Sequence, residues 1–515
     1  MRDEVGDPEG YGPFGAPLFD GPEARHLRRV GVIDVGSNSV RLVIFDGAAR
    51  SPAYFFNEKI LCGLGAGLSE TGRLNPEGRD RALVALRRFA ILARGFEVNS
   101  LSVVATAAVR EAEDGAEFTT EVENATGLRL NVIDGAEEAR LSGQGVLLGW
   151  PEAEGLMCDI GGSSMELAEL SGGTVDAAVS GRLGPLKLAG IKGKGKRKAE
   201  IDAGVAAMAK ALGRSRYDVL YLVGGSWRAI ARIDMERRGY PLKVLHEYTM
   251  TAKDVRATID FIGQADMTEL GRVTGTSSAR MSLVPMASEV LSRIVKTVRP
   301  KEIAISAYGI REGLLYEQMP DILRARDPLI ESCRFAEAKD ARLPGFGRVL
   351  YKFVSPLFAR ERDRRRRLIR ACCLLHDVSW RAHPDYRAEI CFDNATRANL
   401  GGLTHSERVF LGTALLHRYR NKREGTPFEA LSPLLGEADT LQAEVVGKAM
   451  RFGAMFSAQD PALMGTLRLF PKKAVLELTL PKGEGEALWG EVAEARFKSL
   501  ATSLGAEPKL RISRG

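Results

Sequence analysis

GVIDVGSNSVRLVIF, residues 31–45, and MCDIGGSSMELAEL, residues 157–170, are two copies of one pattern. Aligned on Asp34 and Asp159, they share Gly36/Gly161, Ser39/Ser164 and Leu42/Leu167 in a single register, D-x-G-[SG]-x-S-x-[RE]-L. Each copy reads as an apolar strand ending in Asp, a tight Gly/Ser turn, and a second alternating strand. In each, the turn aims N–H groups and hydroxyls at an anion, beside a carboxylate that can hold a cation. Gly36, Gly161 and Gly162 let the backbone approach a ligand closely, and Ser37, Asn38, Ser39, Ser163 and Ser164 add short donors. Two such hairpins facing each other would hold a phosphate chain from both sides. Asp34, Asp159 and Glu166 are hard oxygen ligands of the kind that Mg²⁺ shares with substrate phosphates. Glu166 stands where the first copy has Arg41, which makes the second copy the metal side and the first the phosphate clamp.

The rest of the chain sets the bounds. Its 515 residues exceed one core and suggest roughly three or four domains. An apolar content of 45% and a charged content of 27% describe a soluble globular protein, and no run approaches the ~20 apolar residues of a membrane helix. Residues 1–28, rich in Gly, Pro and acids without an apolar core segment, read as a disordered tail and not as a signal peptide. The six cysteines show no zinc spacing, so reduced thiols in a cytoplasm are expected. A net charge of +7 favours a polyanionic partner. Nucleic acid is not expected, because zinc-finger spacing and stacking strands are missing and aromatics make up only 7%.

Strands and helices alternate from Arg29 to about Asp134. A third apolar stretch spans residues 54–61, and a helix is expected over Pro76 to Gly95, with Pro at its start and Gly at its end. A strand at 101–109, a helix at 116–126 and a strand at 128–134 follow. The order then repeats, with a hairpin, a helix near 201–212, and strands at 218–225 and 302–309. This is a duplicated α/β arrangement with its site in the cleft between halves. The halves are set at 29–137 and 138–320. Residues 325–455 are Arg- and Leu-rich with helical periodicity, and 460–515 return to a small α/β pattern.

Glu137 and Glu138 in GAEEAR open a helix between the two hairpins. An acid there is either a partner for the helix dipole or a carboxylate that deprotonates a water for attack on phosphorus. Arg110 ends a strand pointing toward the same cleft, as a phosphate clamp or as the ion-pair partner of Glu111 or Glu113. Lys192, Lys194, Lys196, Arg197 and Lys198 occupy a Gly-spaced stretch, read as a mobile basic loop at the mouth of an anion channel or as a solvated charge run. Gly224, Gly225 and Ser226 form a turn from strand to helix that can seat a phosphate.

Together, DVGSNSVRL, TAAVREA, GAEEARL, DIGGSSMEL, LVGGS and GIREGLL resemble the exopolyphosphatase/guanosine pentaphosphate phosphohydrolase family. That resemblance implies duplicated actin-like (ribonuclease H-like) ATPase-superfamily domains. It also implies Mg²⁺, Glu138 as the catalytic base, Arg110 and Lys210 on phosphate, and Asp159 and Glu166 at the metal. Long members carry an HD-like helical domain. Here LLHDVSW supplies His376 and Asp377 without the further ligands of a working site, so a non-catalytic relative that extends the polyanion channel is expected. Ser163 stands where the family has glycine, and a positive φ there would carry strain of order 1 kcal/mol. The expected activity is removal of terminal phosphate from inorganic polyphosphate by a cytoplasmic homodimer. The long basic C-terminal half favours the polymer over guanosine penta- or tetraphosphate. An ATP-dependent sugar kinase would need an added acceptor pocket and an Asp base, and a non-catalytic alarmone or polyphosphate sensor would need the catalytic carboxylate to be missing.

Overall fold

A computed structural model describes residues 29–46, 50, 52–456 and 460–513. The expected tail at 1–28 lies outside the described residues. Strands β1 (Arg29–Val35) and β2 (Ser39–Asp46) pair antiparallel with Asp34 opposite Arg41. With β3 (Tyr54–Leu61), β4 (Ser100–Ala105) and β5 (Asn131–Val132) they make a five-stranded sheet in the order β3-β2-β1-β4-β5. Strands β6 (Gly155–Ile160) and β7 (Met165–Ser171) repeat the hairpin, with Asp159 opposite Glu166. They join β8 (Thr174–Gly181), β9 (Val219–Val223), β10 (Thr249–Met250) and β11 (Glu302–Ile305) in a second sheet, β10-β11-β9-β6-β7-β8. In both sheets a three-stranded antiparallel meander continues into two parallel strands, so the duplication visible in two turns extends to five strands of each sheet, and β10 adds an antiparallel edge to the second alone.

The helix Pro76–Gly95 has the expected bounds and buries Ala82, Leu83, Leu86 and Phe89 in the first lobe's core. The expected strand over 101–109 stops at Ala105, and Ala107–Glu111 is a short helix. Arg110 therefore sits on a helix and not on a strand end. The alanines that read as apolar alternation are good helix formers and turn the chain back over the sheet. Only two residues of the stretch 128–134 form a strand. β8 was not anticipated, because its Gly and Asp residues and half-exposed pattern hide the alternation.

The expected boundary between residues 137 and 138 falls inside the first turn of one helix, Gly135–Gly149. This helix and Ile310–Gln318 pack together in a core that holds Leu141, Val146 and Leu315 from the helices, Val30 and Val32 from the first sheet, and Met157 and Ala168 from the second. They are the layer that joins the two sheets.

Residues 326–515 form a separate compact unit. Helices run from Pro328–Asp340 to Glu437–Gly453, as the periodicity indicated. Then β12 (Thr466–Phe470), β13 (Val475–Leu480) and β14 (Glu507–Ile512) form a small sheet, with the helix Glu491–Ser503 crossing between the parallel pair β13 and β14. His376 is buried, with its ring Nδ1 2.8 Å from the Cys373 carbonyl oxygen. Asp377 is held by the Arg342 guanidinium at 2.9 and 2.5 Å. All six cysteines are free and buried. Among the described residues no helix is long and apolar enough to cross a membrane.

Candidate active site

The turns of the two hairpins close in the same way. The Gly36 amide donates to the Ser39 carbonyl at 3.0 Å, and the Gly161 amide donates to the Ser164 carbonyl at 3.0 Å. These two N–H groups are therefore used inside the turns. The amides of Ser37, Asn38, Gly162 and Ser163 have no partner among the described residues and remain as the donors of each loop. The loops meet directly, since the Ser163 hydroxyl donates to the Ser37 hydroxyl at 3.1 Å. Ser163 does not have a positive φ, so the substitution of the family's glycine carries no left-handed strain and adds a bridge between the two halves.

The loops wall a cavity of about 170 Å³. Asp34, Ser37, Glu138, Asp159, Arg228 and Arg311 supply its polar lining. Gly36, Gly161, Gly162, Ser164 and Gly224 also line it, whereas Asn38, Ser39, Ser163, Gly225 and Ser226 do not. Gly224 has φ +112°, and an added Cβ would lie 2.9 Å from Asp159 Oδ1. Only glycine suits that position, both in conformation and in space.

Glu138 reaches the cavity because Asp134 caps the helix Gly135–Gly149, its side chain accepting from the Glu137 amide at 2.8 Å. Glu137 turns away into a two-pronged pair with Arg140 at 2.7 and 2.6 Å. Glu138 faces Arg110, whose Nη1 lies 3.2 Å from its carboxylate and also donates to the Ile133 carbonyl at 2.8 Å. Arg110 is thus anchored to the backbone, paired with neither Glu111 nor Glu113, and it orients Glu138. Burial raises the Glu138 carboxyl to about 7 against the attraction of Arg110, with a smaller push from Asp159. A carboxyl tuned near neutrality has the proton affinity of a general base.

Asp34 and Asp159 are both raised by burial. Arg311 and Arg41 oppose this at Asp34, and a 2.7 Å hydrogen bond from the Ser142 hydroxyl together with Arg228 opposes it at Asp159. Two buried carboxylates on one wall suit Mg²⁺, which takes one or two protein carboxylates and completes its shell with phosphate and water. Glu166 departs from expectation. It does not line the cavity, is 1% exposed, and accepts from the Ser180 hydroxyl at 2.9 Å. Lying opposite Asp159 in the strand register, it supports the site from behind, and burial with the nearby Glu138 and Asp159 raises its carboxyl well above the usual range. No group of three potential metal ligands occurs among the described residues.

The basic stretch is not a loop. Lys194, Lys196, Arg197 and Lys198 lie in the first turns of the helix Lys194–Ala211, entered through Gly193 at φ +98°. Their side chains favour a helix, which overrides the two spaced glycines. Arg197 is paired with Glu289 at 2.9 Å, and neither Lys192 nor any of these residues lines the cavity. Lys210 is exposed near the end of that helix and also lies off the cavity wall.

The cations that do approach the cavity were not assigned from sequence. Arg311 lines it with an Nε that has no hydrogen-bond partner among the described residues. Arg228 donates to the Ser306 and Ala307 carbonyls at 3.3 Å. Lys59 and Arg41 lie opposite each other on β3 and β2. Arg280 lies over Gly225, where an added Cβ would be 1.3 Å from its Nη1. Lost hydration, then Arg280, Arg41 and Arg311, lower Lys59 to about 8. Arg311 stands in the quoted motif GIREGLL and Arg228 two residues after the quoted LVGGS, so neither destination is written in a local pattern. Lys59 and Arg280 carry no local signal.

The chain is similar to several known proteins. Exopolyphosphatase 1 of Mycobacterium tuberculosis is 25% identical over 307 residues, covering 56% of this chain and 88% of the relative. The guanosine-5'-triphosphate,3'-diphosphate pyrophosphatase of Aeromonas hydrophila is 24% identical over 491 residues, covering 90% and 95%. The crystal structure of an exopolyphosphatase from Cytophaga hutchinsonii shares the fold, with a TM-score of 0.51 at 24% identity over 58% of this chain and 99% of that one. Residues 342–510 match the exopolyphosphatase C-terminal family. Residues 43–322, more than half of the chain, match the Ppx/GppA phosphatase family, and the chain belongs to that family.

Proposed function

We propose that the chain is an exopolyphosphatase that hydrolyses the terminal phosphate of inorganic polyphosphate. The observation that carries this reading is Glu138, raised to about 7 and aligned by Arg110, in a cavity whose lining holds carboxylates, arginines and turn amides but no aromatic side chain for a base to stack on. Glu138 takes a proton from a water as its oxygen attacks the terminal phosphorus. The bridging P–O bond breaks, and the shortened chain leaves with the negative charge. Amides of the two loops, Arg311 and Arg228 offset the charge that spreads over the transferred group. Asp34 and Asp159 are the residues that would hold Mg²⁺, which supplies charge neutralisation between phosphates. Lys59, Arg41 and Arg280 give the following phosphates a cationic rim.

Guanosine pentaphosphate is the second reading. The match to the relative carrying that substrate in its name covers 90% of this chain, whereas the match to the exopolyphosphatase relative covers 56%. A long C-terminal half therefore does not separate the two substrates. The His376–Asp377 pair suggests an HD-like ancestry for the helical region, with Asp377 committed to Arg342 and unavailable as a ligand. The buried free thiols fit a cytoplasmic setting, and a homodimer is carried over from the family resemblance. Phosphate release from long polyphosphate and from guanosine pentaphosphate, compared in wild type and Glu138→Gln, tests the assignment. The variant is expected to lose about 10²–10⁴-fold in rate while keeping substrate binding. Full activity in the variant would remove Glu138 from its role, and a wild type inert toward both substrates would end the enzyme reading.

A further inference from the structure

Within residues 326–515 a cavity of about 420 Å³ opens between the helices Glu437–Gly453 and Glu491–Ser503. Lys448, Arg451 and Arg496 line it together with Asn421 and Glu491. A second cavity of about 270 Å³ adjoins it, lined by Phe452, Met455, Phe456 and Leu488. Glu491, Val492 and Arg496 belong to both walls.

The charges of the first cavity are not balanced from within. Lys448 has a partner in Glu444 at 2.6 Å. Arg451 donates only to the neutral Asn421 side chain, at 2.7 Å, and Arg496 has no hydrogen bond or ion pair among the described residues. Burial and then the neighbouring Arg496 lower the Arg451 guanidinium. Two facing guanidiniums without a carboxylate between them repel each other unless an anion is bound, and planar guanidinium forks match phosphate oxygens. The second cavity is of the opposite character. Phe452 packs on Phe456 and Phe497 at 5.4 Å between ring centroids, while Met455 and Val492 remain 54% and 64% exposed. Apolar surface left wet beside a polar rim marks a place that a ligand covers.

We propose that this double cavity is a nucleoside phosphate site. The phosphoryl groups lie on Lys448, Arg451 and Arg496, and the base lies in the apolar cavity against Met455, Leu488 and Val492. Glu491, at the junction, accepts from the ribose hydroxyls. Lys448 and Arg451 at one end, Glu491 and Arg496 at the junction and exposed apolar side chains at the other match the order phosphate, ribose, base. A bare phosphate chain would use only the first third of it.

The test is calorimetric titration of the full chain with ATP and with inorganic triphosphate. The Glu138→Gln background stops turnover, and three further changes are introduced into it. At the site that Arg496→Gln weakens, ATP is expected to bind about tenfold or more tightly than triphosphate, whose binding in the catalytic cleft is the part that Arg311→Gln weakens. Arg496→Gln and Val492→Glu should each weaken ATP about tenfold, and Arg311→Gln, in the catalytic cleft, should leave ATP binding within about twofold. In the wild-type background the first two changes should leave phosphate release intact. If Arg496→Gln fails to fold, Val492→Glu at its exposed position decides. Equal binding of ATP and triphosphate at the double cavity, unchanged ATP binding in the cavity variants, or loss on Arg311→Gln instead would overturn the proposal.

Discussion

Glu138 and Lys59 have proton affinities moved toward neutrality from opposite sides. Burial raises the Glu138 carboxyl to about 7, and lost hydration with neighbouring arginines lowers the Lys59 ammonium to about 8. A base must be unprotonated and a chain-binding lysine protonated, so kcat/KM for polyphosphate should rise as pH passes about 7 and fall above about 8. In a Lys59→Met variant the falling limb should vanish and KM should rise, while the rising limb stays. An unchanged profile would detach Lys59 from substrate. The stability sign is opposite to the activity sign at Glu138. Its folded value lies above the ordinary 4.5, so the folded state keeps a proton that the unfolded chain releases, and this contribution to stability declines from about pH 4.5 to 7. GAEEAR placed Glu137 and Glu138 in a first helical turn, a local pattern that left their role open, and only the family resemblance singled out Glu138. Its tuning was not legible there, because burial and the approach of Arg110 are made by residues distant in the chain.

Helix crossing decides how the catalytic groups are spaced. The helix Gly135–Gly149 carries Glu138 and the helix Ile310–Gln318 carries Arg311. They touch backbone to backbone, since a Cβ at Gly313 would lie 1.8 Å from the Leu141 carbonyl oxygen and one at Gly145 would lie 2.2 Å from the Gly309 carbonyl oxygen. Gly313→Ala must therefore push the helices apart. It is expected to cost about 1–3 kcal/mol in urea unfolding and to lower the rate of phosphate release by more than about tenfold through misplacement of Glu138 against Arg311. A stable, fully active Gly313→Ala protein would show that the crossing has slack. The hairpin strands and the helix Pro76–Gly95 could be read from alternation and from terminal Pro and Gly, which are local signals. The basic stretch misled because spaced glycines suggest a loop, while the lysines, arginine and alanines between them favour the helix Lys194–Ala211.

Every residue lining the catalytic cavity lies between Asp34 and Arg311, inside the unit that ends at Ala325. A fragment of residues 29–325 should therefore fold and release phosphate from tripolyphosphate within about tenfold of the full chain's rate (tenfold being about 1.4 kcal/mol in the barrier). A folded but inert fragment would place an essential group in residues 326–515. The duplicated turns, the α/β class, the helical third region and the placing of Glu138 in a first helical turn were all determined in the amino-acid order, because each is written in contacts or periodicities a few residues long. The tertiary structure alone decided that Glu166 stands behind the cavity, that Ser163 bridges the two halves, and that Arg311, Arg228, Arg280 and Lys59 supply the positive charge instead of residues 192–198. Those outcomes depend on strand register, on a glycine-tight helix crossing and on burial. These join positions hundreds of residues apart, and no local pattern carries such distances.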